Sequence, residues 1–154
     1  MGASVGPYWP GIEEELTEEQ LESQPGFFND CKAWGNWMAD RLMEPRTLEA
    51  IRNLKADAIL SFTTNGVEDE DVDWVTPQEL RQAAQKLGEA IRAGLPETKI
   101  ILESYERASR SYVLASSIFT SVEEDFLSDL ESVEAITRWA EEMGAVKMTL
   151  EVNW

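Results

Sequence analysis

The feature that most constrains the fold is an alternation near the end of the sequence, in the stretch GAVKMTLEVNW at 144–154. Every second residue is apolar from Val146 onward, and polar residues fill the gaps. The apolar positions are Val146, Met148, Leu150, Val152 and Trp154. A period of two predicts a half-buried β-strand over 146–154, with Lys147, Thr149, Glu151 and Asn153 facing solvent.

A strand needs hydrogen-bonding neighbours, so this one requires a partner. Residues 58–64 and 111–120 are the two internal candidates, because both carry β-branched and aromatic residues but can also be read as helix. The third candidate is the same strand of a second molecule, which would make a homodimer through an exposed strand edge. We expect internal pairing, and the sequence leaves monomer and homodimer open.

The other strong signals are helical. Thr76, Pro77 and Glu79 occupy the N-cap, N1 and N3 positions of a helix that Gly94 ends. Further starts are marked by similar pairs three residues apart. These pairs are Thr17 with Gln20 and Ser121 with Glu124. Pro45 is expected to end a helix that contains Trp34, Trp37 and Met38, and Thr47 to cap the next one.

These signals predict a mostly helical α+β fold. Several amphipathic helices are expected to pack with a small β-sheet that includes the strand at 146–154. Residues 1–11 are rich in glycine and proline and are expected to form no regular element. Residues 12–154 are expected to form a single globular domain, since 154 residues is about one domain's length.

The residue types that the sequence lacks exclude several classes of catalytic and metal site. The chain has no histidine and one cysteine, Cys31. Ser–His and Cys–His nucleophilic centres and ordinary zinc sites are therefore excluded. We expect no cofactor and no bound metal, and we nominate no catalytic residue. No run approaches the length of a membrane span, and the first residues lack the basic and apolar regions of a secretory signal. The lone cysteine suits a reducing compartment, so we expect a cytoplasmic protein.

The charge is strongly negative and uneven. The chain has 13 basic and 30 acidic residues, for a net charge of −17. Three segments hold most of the excess, at 12–24, 66–75 and 121–143. Such a chain repels nucleic acids and anionic membranes, so we expect it to bind neither, and any electrostatic steering favours a basic protein partner.

The middle acidic segment is the most suggestive candidate site. Asp69, Asp71 and Asp73 alternate as in the first half of an EF-hand loop. Trp74 stands where that loop needs glycine, however, and Leu80 stands where it needs glutamate. We therefore interpret the segment as an acidic, partner-binding loop rather than as a metal site. Its candidate residues are Glu68, Asp69, Glu70, Asp71 and Asp73.

The six tryptophans divide by their context. Trp34, Trp37 and Trp139 have the spacing of helical core residues. Trp9, in the segment PYWPG, and Trp154 are the candidates for a contact surface, since tryptophan often anchors interfaces.

Three functions fit this profile. The first is a small acidic cytoplasmic binding protein that docks a basic protein, as toxin-neutralising immunity proteins and nucleic-acid mimics do. The second is a carboxylate- or divalent-metal-dependent enzyme. The third is a protein whose acidity serves solubility only.

Overall fold

The computed structural model describes residues 4–25, 34–35, 37–38, 44–64, 67–109 and 121–153. They form the predicted mostly helical α+β fold. The strands are β1 (Ser4–Tyr8), β2 (Phe62–Thr64) and β3 (Thr149–Asn153). The helices are α1 (Ile12–Glu15), α2 (Glu18–Glu22), α3 (Pro45–Asn53), α4 (Pro77–Ala93), α5 (Pro96–Ser109) and α6 (Val122–Glu142). Short 3-10 turns lie at Asp57–Leu60 and Asp69–Asp71.

Strand β3 is the central strand of a three-stranded sheet with the order β1-β3-β2. It runs antiparallel to β1, with Pro7 opposite Leu150, and parallel to β2, with Phe62 opposite Leu150. Residues 58–64 therefore supply one predicted partner, while 111–120 lie outside the described residues.

The expected internal pairing of the last strand is confirmed, whereas the expectation that residues 1–11 form no regular element is wrong. Residues 1–11 contain β1, because their backbone is hydrogen-bonded to a strand about 145 positions away. That pairing leaves no trace in the local composition. Strand β3 is also bonded on both sides, so it offers no free edge for a homodimer.

The predicted faces of the last strand are only partly correct. Met148, Leu150 and Val152 are fully buried, as expected. Val146 is 82% exposed because it precedes the strand, and Thr149 is 0% exposed instead of facing solvent. Thr149 tolerates burial because its hydroxyl lies 2.9 Å from Ser61 Oγ. Ser61 donates its one proton to the carbonyl of Asp73 at 2.5 Å, so Thr149 is the donor to Ser61.

Helix ends follow the local signals closely, with one exception. Ser121 and Thr17 cap α6 and α2 through their side chains, as predicted. Helix α3 begins earlier than expected, because Pro45 occupies its N1 position. Thr47 lies inside this helix, fully buried, and its hydroxyl has no hydrogen-bond partner in the described part of the chain.

The cap of α4 supports a first prediction. Thr76 Oγ1 accepts a hydrogen bond from the backbone N–H of Glu79 at 3.0 Å, and Gly94 ends the helix with a φ of 68°. Thr76→Ala removes this acceptor and is expected to lower the free energy of unfolding by about 1 kcal/mol. Thr76→Ser keeps the hydroxyl and is the matched control. Equal urea midpoints for the two variants would contradict this role of Thr76.

The core is built where helices meet. Helix α4 packs along α6, and α3 packs against α5. Four rings, Trp34, Trp37, Tyr105 and Phe126, cluster together with centroids 4.9–6.2 Å apart in their contacting pairs. The indole of Trp37 donates to Ser104 Oγ at 2.7 Å, so its polar atom is satisfied. The prediction that Trp34, Trp37 and Trp139 are core residues is confirmed.

Candidate functional site

The acidic loop, residues 67–73, joins the sheet to helix α4. Its 3-10 turn presents carboxylates outward, while Val72 is buried beneath it and fixes the loop to the protein. All five predicted acids of the loop are exposed and lie within this one short segment. They are Glu68, Asp69, Glu70, Asp71 and Asp73.

Two aromatic side chains, Tyr8 and Trp74, hold the loop in place. We call them the aromatic pair. The hydroxyl of Tyr8 donates to Asp69 Oδ1 at 2.8 Å, and the indole N–H of Trp74 donates to the carbonyl of Asp69 at 3.2 Å. The two ring centroids lie 5.9 Å apart, and both side chains remain half-buried. Strand β1 therefore positions the acidic loop from 61 positions away.

A cation lies over this aromatic pair. The ammonium of Lys147 is 4.9 Å from the centroid of the Trp74 ring, within range of a cation–π interaction. Lys147 is exposed, and no carboxylate of the described residues is within salt-bridge distance of its ammonium.

The acidic surroundings of Tyr8 favour the protonated form of its phenol. Its pKa is raised to about 12, first by the hydrogen bond to Asp69 and then by burial. The negative charges of Asp69, Glu151 and Glu14 raise it further. Glu14 belongs to the first acidic segment, Asp69 to the acidic loop and Glu151 to β3. Acidic residues from three separate parts of the chain therefore raise the pKa of the same phenol.

This pKa gives a second prediction. A phenol whose folded pKa of about 12 exceeds its ordinary value of 10.0 favours the folded state below pH 10. That contribution is expected to disappear as the pH rises from about 10 to about 12, because the phenol then loses its proton. The phenolate absorbance of the parent minus that of Tyr8→Phe reports the titration. Asp69→Asn should move the midpoint down toward 10, and an unmoved midpoint would contradict the assigned cause.

The two tryptophans predicted to form a contact surface have different outcomes. Trp9 is 4% exposed, and its ring packs 5.7 Å from that of Trp139, centroid to centroid. The prediction that Trp9 lies at a contact surface is therefore wrong, because the side chain turns from β1 into the core. Trp154 lies outside the described residues.

Sequence reasoning missed several residues of this site. They are Tyr8, Glu14, Trp74, Lys147 and Glu151. The sheet brings Tyr8 and Lys147 to the acidic loop and to Trp74, and no spacing rule connects residue 8 or 147 with residue 69. The one local signal was aromatic: Trp74 directly follows the acidic run, and Tyr8 lies in the same segment as Trp9.

The third acidic segment is used partly for structure. On α6, Glu141 pairs with Arg81 at 2.7 Å and Glu134 lies 3.7 Å from Arg138. Asp129 is buried and accepts a hydrogen bond from Tyr105 at 2.5 Å. This segment therefore differs from the acidic loop, whose carboxylates all point outward.

The alternating aspartates do not form a metal cage. Within the described residues, no three carboxylate or thiolate side chains lie close enough together to hold a metal ion.

A concave surface separate from the acidic loop lies between α3 and α4. It consists of a groove of about 280 Å³ and an adjoining groove of about 390 Å³. Arg52, Lys55 and Lys86 line the first groove together with Asp57 and Glu79. The second is more apolar, with Leu54, Ala90, Ala93 and Leu95. The mixture of charges in the first groove favours no single class of ligand.

Comparison with known proteins finds no matching family model, no matching curated protein and no matching solved structure. None of the helices in the described part of the chain is both long and apolar enough to cross a bilayer. The acidic loop and its surroundings are therefore the features from which we infer function.

Proposed function

We propose that this chain is a small acidic binding protein that docks onto a basic protein partner through the acidic loop and the aromatic pair. The observation that carries the proposal is the direct contact of the exposed acidic loop with the aromatic pair, since Tyr8 donates to Asp69 Oδ1 at 2.8 Å and Trp74 donates to the Asp69 carbonyl at 3.2 Å. Exposed carboxylates beside aromatic side chains combine the two features that such an interface needs.

The two features have separate physical roles. Clustered negative charge accelerates the encounter with a cationic surface and orients it. Aromatic rings contribute large contact area at low cost in conformational entropy, and they slow dissociation. Tyr8 and Trp74 are held by hydrogen bonds to the acidic loop, so little order has to be imposed when a partner arrives.

The finer form of the proposal is a cytoplasmic neutralising protein of the immunity or nucleic-acid-mimic type. Its support is chemical. A partner that acts on nucleic acid carries a cationic cleft, and a chain with net charge −17 presents carboxylates where the nucleic acid would present phosphates. A partner of this kind would be inhibited while this chain is bound.

Affinity capture with the purified protein tests the proposal. A captured partner is then purified, and its dissociation constant is measured between about 0.05 and 0.5 M salt. Over this range the Debye length falls from above ~10 Å to well below it. We expect a basic partner whose affinity falls steeply as salt increases.

A pair of variants with equal charge change locates the interface. Glu68→Gln, Glu70→Gln and Asp71→Asn together neutralise three exposed acids of the acidic loop. Glu49→Gln, Glu89→Gln and Glu103→Gln neutralise three exposed acids outside it. The loop variant should weaken binding about tenfold or more, and the control much less. Equal losses of affinity in the loop variant and the control would favour acidity that serves solubility only. In the capture experiment, a partner without basic character would overturn the proposal.

A further inference from the structure

The indole face of Trp74 already carries a cation. We propose that Lys147 is the internal occupant of an arginine-binding site formed by Trp74, Tyr8 and Asp69, and that an arginine of the partner displaces it. The inference rests on the proposed function and names the group that the aromatic pair receives. Lys147 then acts as a built-in competitor for the site.

The receiving surface is ordered before any partner arrives. The indole N–H of Trp74 is bonded to the Asp69 carbonyl, which fixes the plane of the ring. Tyr8 bonds Asp69 Oδ1, which fixes the carboxylate beside that ring. The other oxygen of Asp69 accepts no hydrogen bond from the described residues, so it is available to an incoming N–H donor.

Lys147 is held only weakly at this surface. Its ammonium has the ring contact at 4.9 Å but no salt bridge within the described part of the chain. The side chain is exposed and follows Val146, which is 82% exposed, so it can leave without disturbing the core.

Arginine uses this surface better than lysine does. A guanidinium is planar, stacks on an aromatic ring and still directs N–H donors sideways to a carboxylate. A lysine ammonium cannot stack in this way. The carboxylates of Glu14 and Glu151, which act on the same phenol, add negative charge around the site. An arginine could therefore stack on the Trp74 ring and donate hydrogen bonds to the Asp69 carboxylate at the same time.

The test uses a fluorescent hexa-arginine peptide as the probe, with binding measured by anisotropy at low salt. Lys147→Met removes the competing cation and keeps an apolar stem, and Lys99→Met makes the same charge change at an exposed lysine on α5. Lys147→Met is expected to tighten binding about three- to tenfold more than Lys99→Met does. Trp74→Leu is expected to weaken binding by a similar factor.

The double variant Lys147→Met/Trp74→Leu distinguishes displacement of Lys147 from the Trp74 ring from a general effect of removing one positive charge. If Lys147 competes for the Trp74 ring, the gain from Lys147→Met should shrink to that of Lys99→Met once Trp74 is leucine. Both lysines are exposed, so these variants remain informative even if Trp74→Leu lowers stability. A hexa-lysine peptide should bind several-fold more weakly than hexa-arginine.

Each outcome is decisive. If hexa-arginine binds in a salt-dependent way but Lys147→Met equals Lys99→Met, the displacement is wrong and the acidic docking surface remains. Equal affinities for hexa-lysine and hexa-arginine would overturn the arginine preference. No binding of either peptide by the parent at low salt would count against the proposed function itself.

Discussion

Leu150→Asp is expected to lower the free energy of unfolding by about 4 kcal/mol or more. Leu150 is 0% exposed on the central strand, opposite Pro7 on one side and Phe62 on the other. A carboxylate at this position is either buried without a partner or forces the sheet to open. A urea titration that gives both midpoint and slope measures the loss.

Val146→Asp is the matched control for this experiment. It adds the same charge four residues earlier, at a side chain that is 82% exposed. We expect it to change stability by less than about 0.5 kcal/mol. Similar losses for the two variants would show that Val146 is buried as the alternation of the sequence suggests, contrary to the structure.

Thr149→Asp extends the same test to the opposite face of the strand. The sequence pattern marks Thr149 as a position where this change costs little, whereas the structure buries it completely against Ser61. We therefore expect a loss comparable with that of Leu150→Asp. Thr149→Val removes only the hydroxyl bond to Ser61 and should cost about 1 kcal/mol. A tolerated Thr149→Asp would show that this face of β3 is open to solvent.

Trp9→Ala is expected to lower the free energy of unfolding by about 3–5 kcal/mol. The ring of Trp9 is buried against Trp139, and the Trp139 indole is bonded to Ser23 Oγ at 3.0 Å. Removing the Trp9 ring leaves a cavity between β1, α2 and α6 that these elements cannot fill without moving. Thermal and urea unfolding measure the loss.

Trp74→Ala is the matched control for Trp9→Ala. Trp74 is half-buried at the acidic loop, so its removal should cost less than half as much stability while weakening binding of a cationic partner. Trp9→Ala is thus expected to have the larger effect on stability, and Trp74→Ala the larger effect on binding. An unchanged melt for Trp9→Ala would place that ring on the surface, as its proline-flanked segment suggested.

The parts of the fold that the sequence predicts are those that local chemistry determines. Thr76, Pro77 and Gly94 define α4 because a cap and a left-handed end act within one turn of the helix. Ser121 does the same for α6. The early start of α3 shows the limit of such signals, since Pro45, which was expected to end the preceding helix, opens α3 at N1.

The features that the sequence did not predict depend on pairing between distant parts of the chain. Strand β1 contains Gly6 and Pro7 and has no alternation, so only its partner makes it a strand. The burial of Thr149 depends on Ser61, 88 positions away. The acidic loop was visible from composition, but Tyr8 and Lys147 join it only through the sheet. Sequence patterns therefore predict which segments are acidic and helical, but not which side chains the sheet brings together.

The central position of β3 has a consequence for how the chain is made. Strands β1 and β2 leave the ribosome long before residues 149–153, the segment that both of them bind. At about 5–20 residues per second, the ribosome needs roughly 7–28 s to go from Tyr8 to Thr149. Strand β1 has unpaired backbone groups throughout that time, and β2 has them for roughly 4–17 s of it. Pro7 makes β1 a poorer template, because it has no N–H to offer. A ribosome that stalls before Thr149 therefore holds a chain whose helices can form but whose sheet cannot, and such stalled chains should be the ones that chaperones bind.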